Sequence, residues 1–339
     1  MPRALRVLHL TNPHFLPPES DEGYSAQEMN VWKTDYDVVR TLRRLGHEVR
    51  SLGVDDELGP IREAIDAFRP HVVFNLLEEF AGIPEFDQHV VSYLELLGVP
   101  YTGCNPRGLT LSRGKALSKK IVAYHRIRTP GFAVFPRRRK VRRPARLALP
   151  LIVKSLTEEA SKGIAQASIV DDDDKLEARV RFMHEHLDTD VIAEQFIAGR
   201  ELYVGVLGNE RLTVLPVWEL RFGDLGEGAA IATAKVKHDV KYQERRGITH
   251  GRAQDIPDAL RAIIVRCSRR ICRALAIDGY ARIDYRLGED GQLYFLEANP
   301  NPEIAWNEEF ASSAAAAGIE YPELIRKIVS LGLRRRRYG

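Results

Sequence analysis

Two apolar rhythms take turns along the first hundred residues. ALRVLHL, residues 4–10, is an aliphatic run that reads as a strand, whereas Val38, Val39, Leu42 and Leu45 recur at helical spacing until Gly46 stops them. A strand over 48–54, a helix over 61–68, a strand over 72–76 and a helix over 86–97 closed by Gly98 follow. This alternation predicts a parallel, doubly wound sheet for about the first 105 residues. Such sheets bind ligands beyond the carboxyl ends of their strands, which places the loops 12–25 and 77–85 at a site.

The pattern then changes. From Leu109, GKALSKKIVAYHRI predicts a helix and GFAVF a strand, and the Arg- and Pro-rich stretch 136–144 reads as an exposed connection whose charges are solvated. LPLIVKSL (149–156) is a strand, 157–163 a loop, and a further strand lies near 165–170. Asp171 to Asp174 precede a helix from Lys175, where carboxylates favour the helix dipole, so no metal site is read there. His184 and His186 are two apart on that helix and face different ways. DVIAEQFI, ELYVGVLG and RLTVLPVWEL read as strands, the last two antiparallel. Residues 221–252, rich in Gly, Lys and Arg without a period, predict a mobile covering loop. A helix over 257–275 and an amphipathic helix over 320–331 complete the elements.

The densest chemistry lies at 280–299, YARIDYRLGEDGQLYFLEAN, two alternating strands joined by a turn at Asp290 and Gly291. Side chains of a strand alternate between faces, so Arg282 shares one with Asp284, and Glu297 shares one with Asn299 on the neighbouring strand. One cation and three oxygen donors therefore converge. Hard ions such as Mg²⁺ take carboxylate and amide oxygens together with substrate phosphates, and an adjacent Arg can hold an oxyanion. That combination suggests a metal-nucleotide enzyme; the alternative is a solvated hairpin face.

The 339 residues are enough for two or three domains, and the 44% hydrophobic content suits a globular protein. A formal net charge of +3 provides no global field for nucleic acid or membrane. Three cysteines, Cys104, Cys267 and Cys272, without CxxC spacing argue for reduced thiols in the cytoplasm rather than disulfides or zinc, and Cys267 shares a helical stripe with Ile264 and Ile271. The run from Leu5 to Leu10 is too short for a signal peptide or a membrane span, and there is no internal repeat. Arg334 to Arg337 and the 137–143 cluster lack interleaved aromatics, so a nucleic-acid or membrane role is not favoured.

In order along the chain stand VVFNLLEEFAGIPEFDQHVVSYLELLGVPYTGCNPRGLTLSRGKALSK, IVKSLTEEASKG, AEQFIAGRELYVGVLG, and YARIDYRL with YFLEANPNP. Together they resemble the ATP-grasp superfamily, and within it the D-alanine–D-alanine ligase group of carboxylate-amine ligases, from about Tyr36 to Leu331. The resemblance implies an ATP-grasp fold, α/β overall and α+β in the C-terminal part. Its parts would be a doubly wound pre-ATP-grasp domain at 1–108, a small central lid subdomain at 109–197 and a catalytic subdomain at 198–339. Lys115 and Lys154 would hold ATP phosphates, while Lys119 and Lys120 would be exposed and idle. Ser161 and Gly163 belong to a loop that would cover the triphosphate, although Glu159 and Lys162 depart from the family's glycine- and serine-rich pattern. Glu194 would meet the adenine amino group, the main chain of Phe196 and Ile197 would form the adenine hinge, and Glu201 would accept from the ribose hydroxyls. Asp284, Glu297 and Asn299 would bind two Mg²⁺, for which Mn²⁺ could substitute. Arg282 and Lys237 would neutralise the acyl phosphate and tetrahedral intermediate, with Lys235 or Lys241 as alternatives to Lys237. No Walker A loop competes, because Ala116 follows Gly114 and Lys115 and Leu109 stands at the first glycine's place.

The resemblance further implies two steps, carboxylate attack on the γ-phosphate and then amine attack on the acyl phosphate, with no nucleophilic side chain. It also implies a homodimer. The substrate positions depart from the family. The ligases hold the first ammonium with an N-terminal-loop glutamate and the second carboxylate with a serine-leucine pair, and neither is recognisable here. Glu308 stands where that serine would be, and Glu78, Glu79, Glu303 and Glu309 would add to an acidic pocket. An acid receives an ammonium or a hydroxyl, not a carboxylate, so the expected acceptor has a cationic end or no free carboxylate. A housekeeping D-alanine–D-alanine ligase and a non-catalytic ATP-binding protein are the competing readings.

Overall fold

In a computed structural model describing residues 4–156, 166–223, 236 and 240–335, three sheets follow one another along the chain. The first contains β1 (Arg6–Thr11), β2 (Glu48–Gly53) and β3 (Val72–Asn75), all parallel in the order β2-β1-β3. β1 and β3 are near-continuous buried runs because helices and the C-terminal region cover both faces, which is why their sequences do not alternate. The helix Ala26–Arg44 begins with a reciprocal Ser25–Glu28 cap and packs Val38 and Leu42 against Val7, Val72 and Phe74.

The second sheet is antiparallel and consists of β4 (Phe132–Phe135), β5 (Leu151–Ser155), β6 (Ile169–Val170) and β7 (Val191–Gln195), in the order β4-β7-β5-β6. The helix Asp173–Leu187, capped by Asp172, lays Leu176, Val180 and Met183 on it. Two expectations change here. Arg137 pairs with Asp188 and Asp190, and Arg143 with Asp173, so the basic connection is tied to acids of this subdomain rather than only solvated.

The third sheet holds β8 (Gly199–Leu207), β9 (Thr213–Val214), β10 (Trp218–Arg221), β11 (Thr249–Arg252), β12 (Tyr280–Gly288) and β13 (Leu293–Pro300), ordered β11-β10-β8-β12-β13 with β9 beside β8. The second correction concerns 221–252. Its described C-terminal part is the helix Val240–Arg246 followed by β11, which is laddered to β10. The helix Asp258–Ala274 supplies Ile264, Ile271 and Cys272 to the core, and Cys267 is partly buried beside it. No described helix is long and apolar enough to cross a membrane.

The first and third sheets meet at a tight seam. Gly279 has φ +72°, and a Cβ there would stand 2.3 Å from the Gly103 carbonyl oxygen, so only glycine lets the chains approach this closely. Asn301 accepts from the Cys104 N–H at 2.7 Å, and Asn105 donates to Asp278 at 2.8 Å. The seam places the ends of β3 and β13 around one cavity.

Candidate functional site

The hairpin brings its polar residues into register: Asp284 opposes Glu297 and Arg282 opposes Asn299, with an irregularity immediately after Asp284. Arg282 grips Asp284 with two nitrogens at 2.8 and 2.9 Å, Asn299 donates to the same carboxylate at 3.0 Å, and Glu309 accepts from Arg282 at 3.2 Å. The guanidinium also lies 4.7 Å from the centre of the Tyr203 ring. Burial opposes the Arg282 charge, but Asp284 and Glu309 outweigh it and hold the pKa well above its ordinary value. Among the described residues no three His, Cys, Asp or Glu side chains gather as a metal cluster. The hairpin's donors are two carboxylates and an amide, an all-oxygen set suited to a hard cation that also takes phosphate oxygens.

Behind the hairpin is a buried charge cluster. Glu194 on β7 has Lys119 at 3.3 Å from one oxygen and Lys154 of β5 at 3.4 Å from the other. Lys119 also donates to the Leu296 carbonyl on β13, next to Glu297. The expectation that Lys119 is exposed and idle is therefore overturned: its side chain is 0% exposed, while Lys120 is exposed. A buried ammonium is tolerated only when paired, and the helix Lys115–Tyr124 places Lys119 one turn beyond Lys115, against the sheet. Burial lowers the Lys119 pKa despite Glu194. At Lys154 burial is outweighed by Glu194, Glu297 and Glu201, and the pKa is raised. At Glu194 burial is outweighed by the two lysines, which hold the carboxyl below its usual range.

Glu201 is buried with Arg286 at 3.1 Å and accepts from the Tyr203 hydroxyl at 2.8 Å. Of the expected hinge pair, the Phe196 N–H bonds to Pro150 O at 2.9 Å. Lys115 is half-buried at the first position of its helix.

A cavity of about 550 Å³ opens in front of the hairpin, lined among others by Glu78, Arg282, Glu297, Asn299, Glu303, Glu308 and Glu309. Glu79 is not among its lining residues and instead accepts from Asn12 at 3.5 Å. Glu308 pairs with Lys33, and Thr34 donates to Glu303 at 3.4 Å, both partners from the helix Ala26–Arg44. Burial, reinforced by Glu308, raises the Glu303 pKa. The Glu309 carboxylate, 3.7 Å from the imidazole, raises the pKa of His250 against burial. Buried Cys104 and Cys272 lie outside this lining, and burial pushes the Cys272 thiol up to about 12, so neither supplies a thiolate.

Residues 119–330 match the family model described as D-ala D-ala ligase C-terminus. The chain belongs to the D-alanine–D-alanine ligase family of the ATP-grasp superfamily. A D-alanine–D-alanine ligase of Bordetella petrii is 36% identical over 239 residues, covering 70% of this chain and 69% of the relative. One from Desulfotalea psychrophila is 32% identical, covering 80% and 81%. The fold agrees with the crystal structure of the Bacillus anthracis D-alanine–D-alanine ligase complexed with ATP, with a TM-score of 0.75, 24% identity and 98% coverage of both chains.

For this ligase-family chain, Ser161, Gly163, Lys235 and Lys237 lie outside the described residues, as does the side chain of Lys241. Four neighbours of the site went unread in the sequence, Lys33, Tyr203, His250 and Arg286, and Lys119 was read as exposed. Two carried a signal. Lys119 follows Lys115 by four, and Arg286 continues the alternation of Arg282 and Asp284 along β12.

Proposed function

We propose that the protein is an ATP- and Mg²⁺-dependent carboxylate-amine ligase that forms a carbon-nitrogen bond and releases ADP and phosphate. The observation that carries this reading is the Arg282–Asp284–Glu297–Asn299 register, with Lys154 raised in pKa behind it. A substrate carboxylate oxygen attacks the γ-phosphorus, ADP leaves, and an acyl phosphate results. The amine of a second substrate adds to the acyl carbon, inorganic phosphate leaves with the carbon-oxygen bond electrons, and the ammonium proton is lost to solvent. Lys154 draws the phosphates into line, and Arg282 offers its guanidinium to the negative oxygen of the tetrahedral intermediate. Asp284, Glu297 and Asn299 would hold Mg²⁺, or Mn²⁺ in its place, which would screen the phosphate charge. A homodimer belongs to the same reading.

The acceptor end supports a substrate with an ammonium or hydroxyl in place of a free carboxylate. Glu303, Glu308 and Glu309 line it, and among the described residues its lining cations Arg113 and Arg282 are engaged by Asp87, and by Asp284 and Glu309, while Lys33 behind it pairs with Glu308. A second reading, D-alanine–D-alanine ligation, is favoured by the relatives' activity. Phosphate release from Mg-ATP with amino acids, diamines and amino alcohols, singly and in pairs, with products weighed by mass spectrometry, separates the two. A product lighter than its two substrates by one water supports ligation. Fast turnover with D-alanine alone favours the second reading, and no substrate-dependent phosphate release across the panel would sink the ligase reading.

A further inference from the structure

Glu194 meets two cations, with the charges of Glu297 and Glu201 also near Lys154, and the two cations are held differently. Lys119 is fully buried, bound to Glu194 on β7 and to the Leu296 carbonyl on β13, and its ammonium lies 5.7 Å from the centre of the Phe295 ring. Three groups from two sheets fix it in place. Lys154 meets the other oxygen of Glu194 at 3.4 Å and retains 13% exposure. A lysine at the edge of the cluster can turn toward a phosphate, but leaving Glu194 would strand a buried carboxylate unless another charge stays behind.

We propose that Lys119 is a positioning residue that keeps Glu194 paired, so that Lys154 can leave that carboxylate for the triphosphate. In this arrangement Glu194 holds Lys154 before nucleotide arrives, and the Lys119–Glu194 pair remains neutral after Lys154 turns. Without Lys119, Glu194 would retain Lys154 as its counter-charge and compete with the phosphates. Lys119 also joins β7 of the second sheet to β13 of the third, so the same ammonium fixes the spacing between Glu194 and the strand that carries Glu297. The proposal rests on the nucleotide reading of the site.

The test measures ATP and adenosine binding by calorimetry on the full chain, independently of any amide product. Lys119→Met is expected to weaken ATP about tenfold while adenosine changes less than about twofold, because the defect concerns the phosphate lysine. Adding Glu194→Gln to that variant removes the competing carboxylate, and the ratio of adenosine to ATP affinity should return to within about twofold of wild type. Equal weakening of both ligands would make Lys119 a structural support only and overturn the proposal. So would unchanged ATP binding in Lys119→Met, or a double variant no better than the single. If Lys119→Met does not fold, the charge-balanced double variant decides: a ratio near wild type supports the proposal, and a tenfold loss overturns it. Wild-type protein that binds no ATP would overturn the nucleotide reading itself, a failure distinct from selective loss in the variants.

Discussion

Asp284 and Glu297 face each other across the β12–β13 ladder, and both oxygens of Asp284 are already held, by Arg282 and by Asn299. A carboxylate kept in place this way needs little reorganisation to receive a cation. Glu297→Gln retains the shape of its partner but removes a charge. We expect turnover to fall by roughly a hundredfold or more with the unfolding midpoint nearly unchanged. Parallel steady-state kinetics and thermal melts check this, and wild-type activity in the variant would remove Glu297 from the metal set.

Arg286 and Glu201 are 6% and 8% exposed and 3.1 Å apart. Glu201→Gln leaves a buried guanidinium short of its counter-charge, a loss expected to cost about 3 kcal/mol by urea unfolding. Binding of the nucleoside should weaken in the same variant if Glu201 meets the ribose. Stability like that of wild type would mean that water reaches Arg286.

His250 should titrate above its ordinary value of 6.5, because Glu309 favours its protonated form more than burial opposes it. Its stabilisation is then complete below about pH 6.5 and is lost as pH rises through the raised folded value. The imidazole is about half exposed, at 48%, so solvent screening limits the effect to about 0.5 kcal/mol or less. Ring-proton NMR across pH 5.5–8.5 reads the shift, and Glu309→Gln should return it toward about 6.5.

Gly279→Ala would place a methyl group 2.3 Å from the Gly103 carbonyl at a φ of +72°. Clash and strain together should destabilise the fold by about 3 kcal/mol, with loss of activity following unfolding rather than preceding it. A well-folded variant would mean that the seam opens easily.

The hairpin was legible because strand alternation assigns faces from sequence alone, and Asp290 with Gly291 marks the turn. The doubly wound start was legible for the same reason, as periods of two kinds taking turns. Lys119 was not. Its spacing of four from Lys115 puts the two on one helix face but does not mark it as buried, because its partners lie 75 residues away at Glu194 and 177 away at Leu296. β11, THGR, carries no apolar alternation, and its conformation comes from pairing with β10 at the sheet edge. Lys33 and Glu308, 275 positions apart, meet only through the seam.

That last pairing bears on how substrate choice could evolve. The helix Ala26–Arg44 brings Lys33 to Glu308, Thr34 to Glu303 and Asp37 to the Trp306 N–H, yet the matched family region begins at residue 119. Glu303 and Glu308 of the cavity are thus braced by a segment that lies outside that matched C-terminal region. On the proposed ligase reading, exchanging the first hundred residues with those of a relative should therefore alter which amine is accepted more than it alters ATP binding.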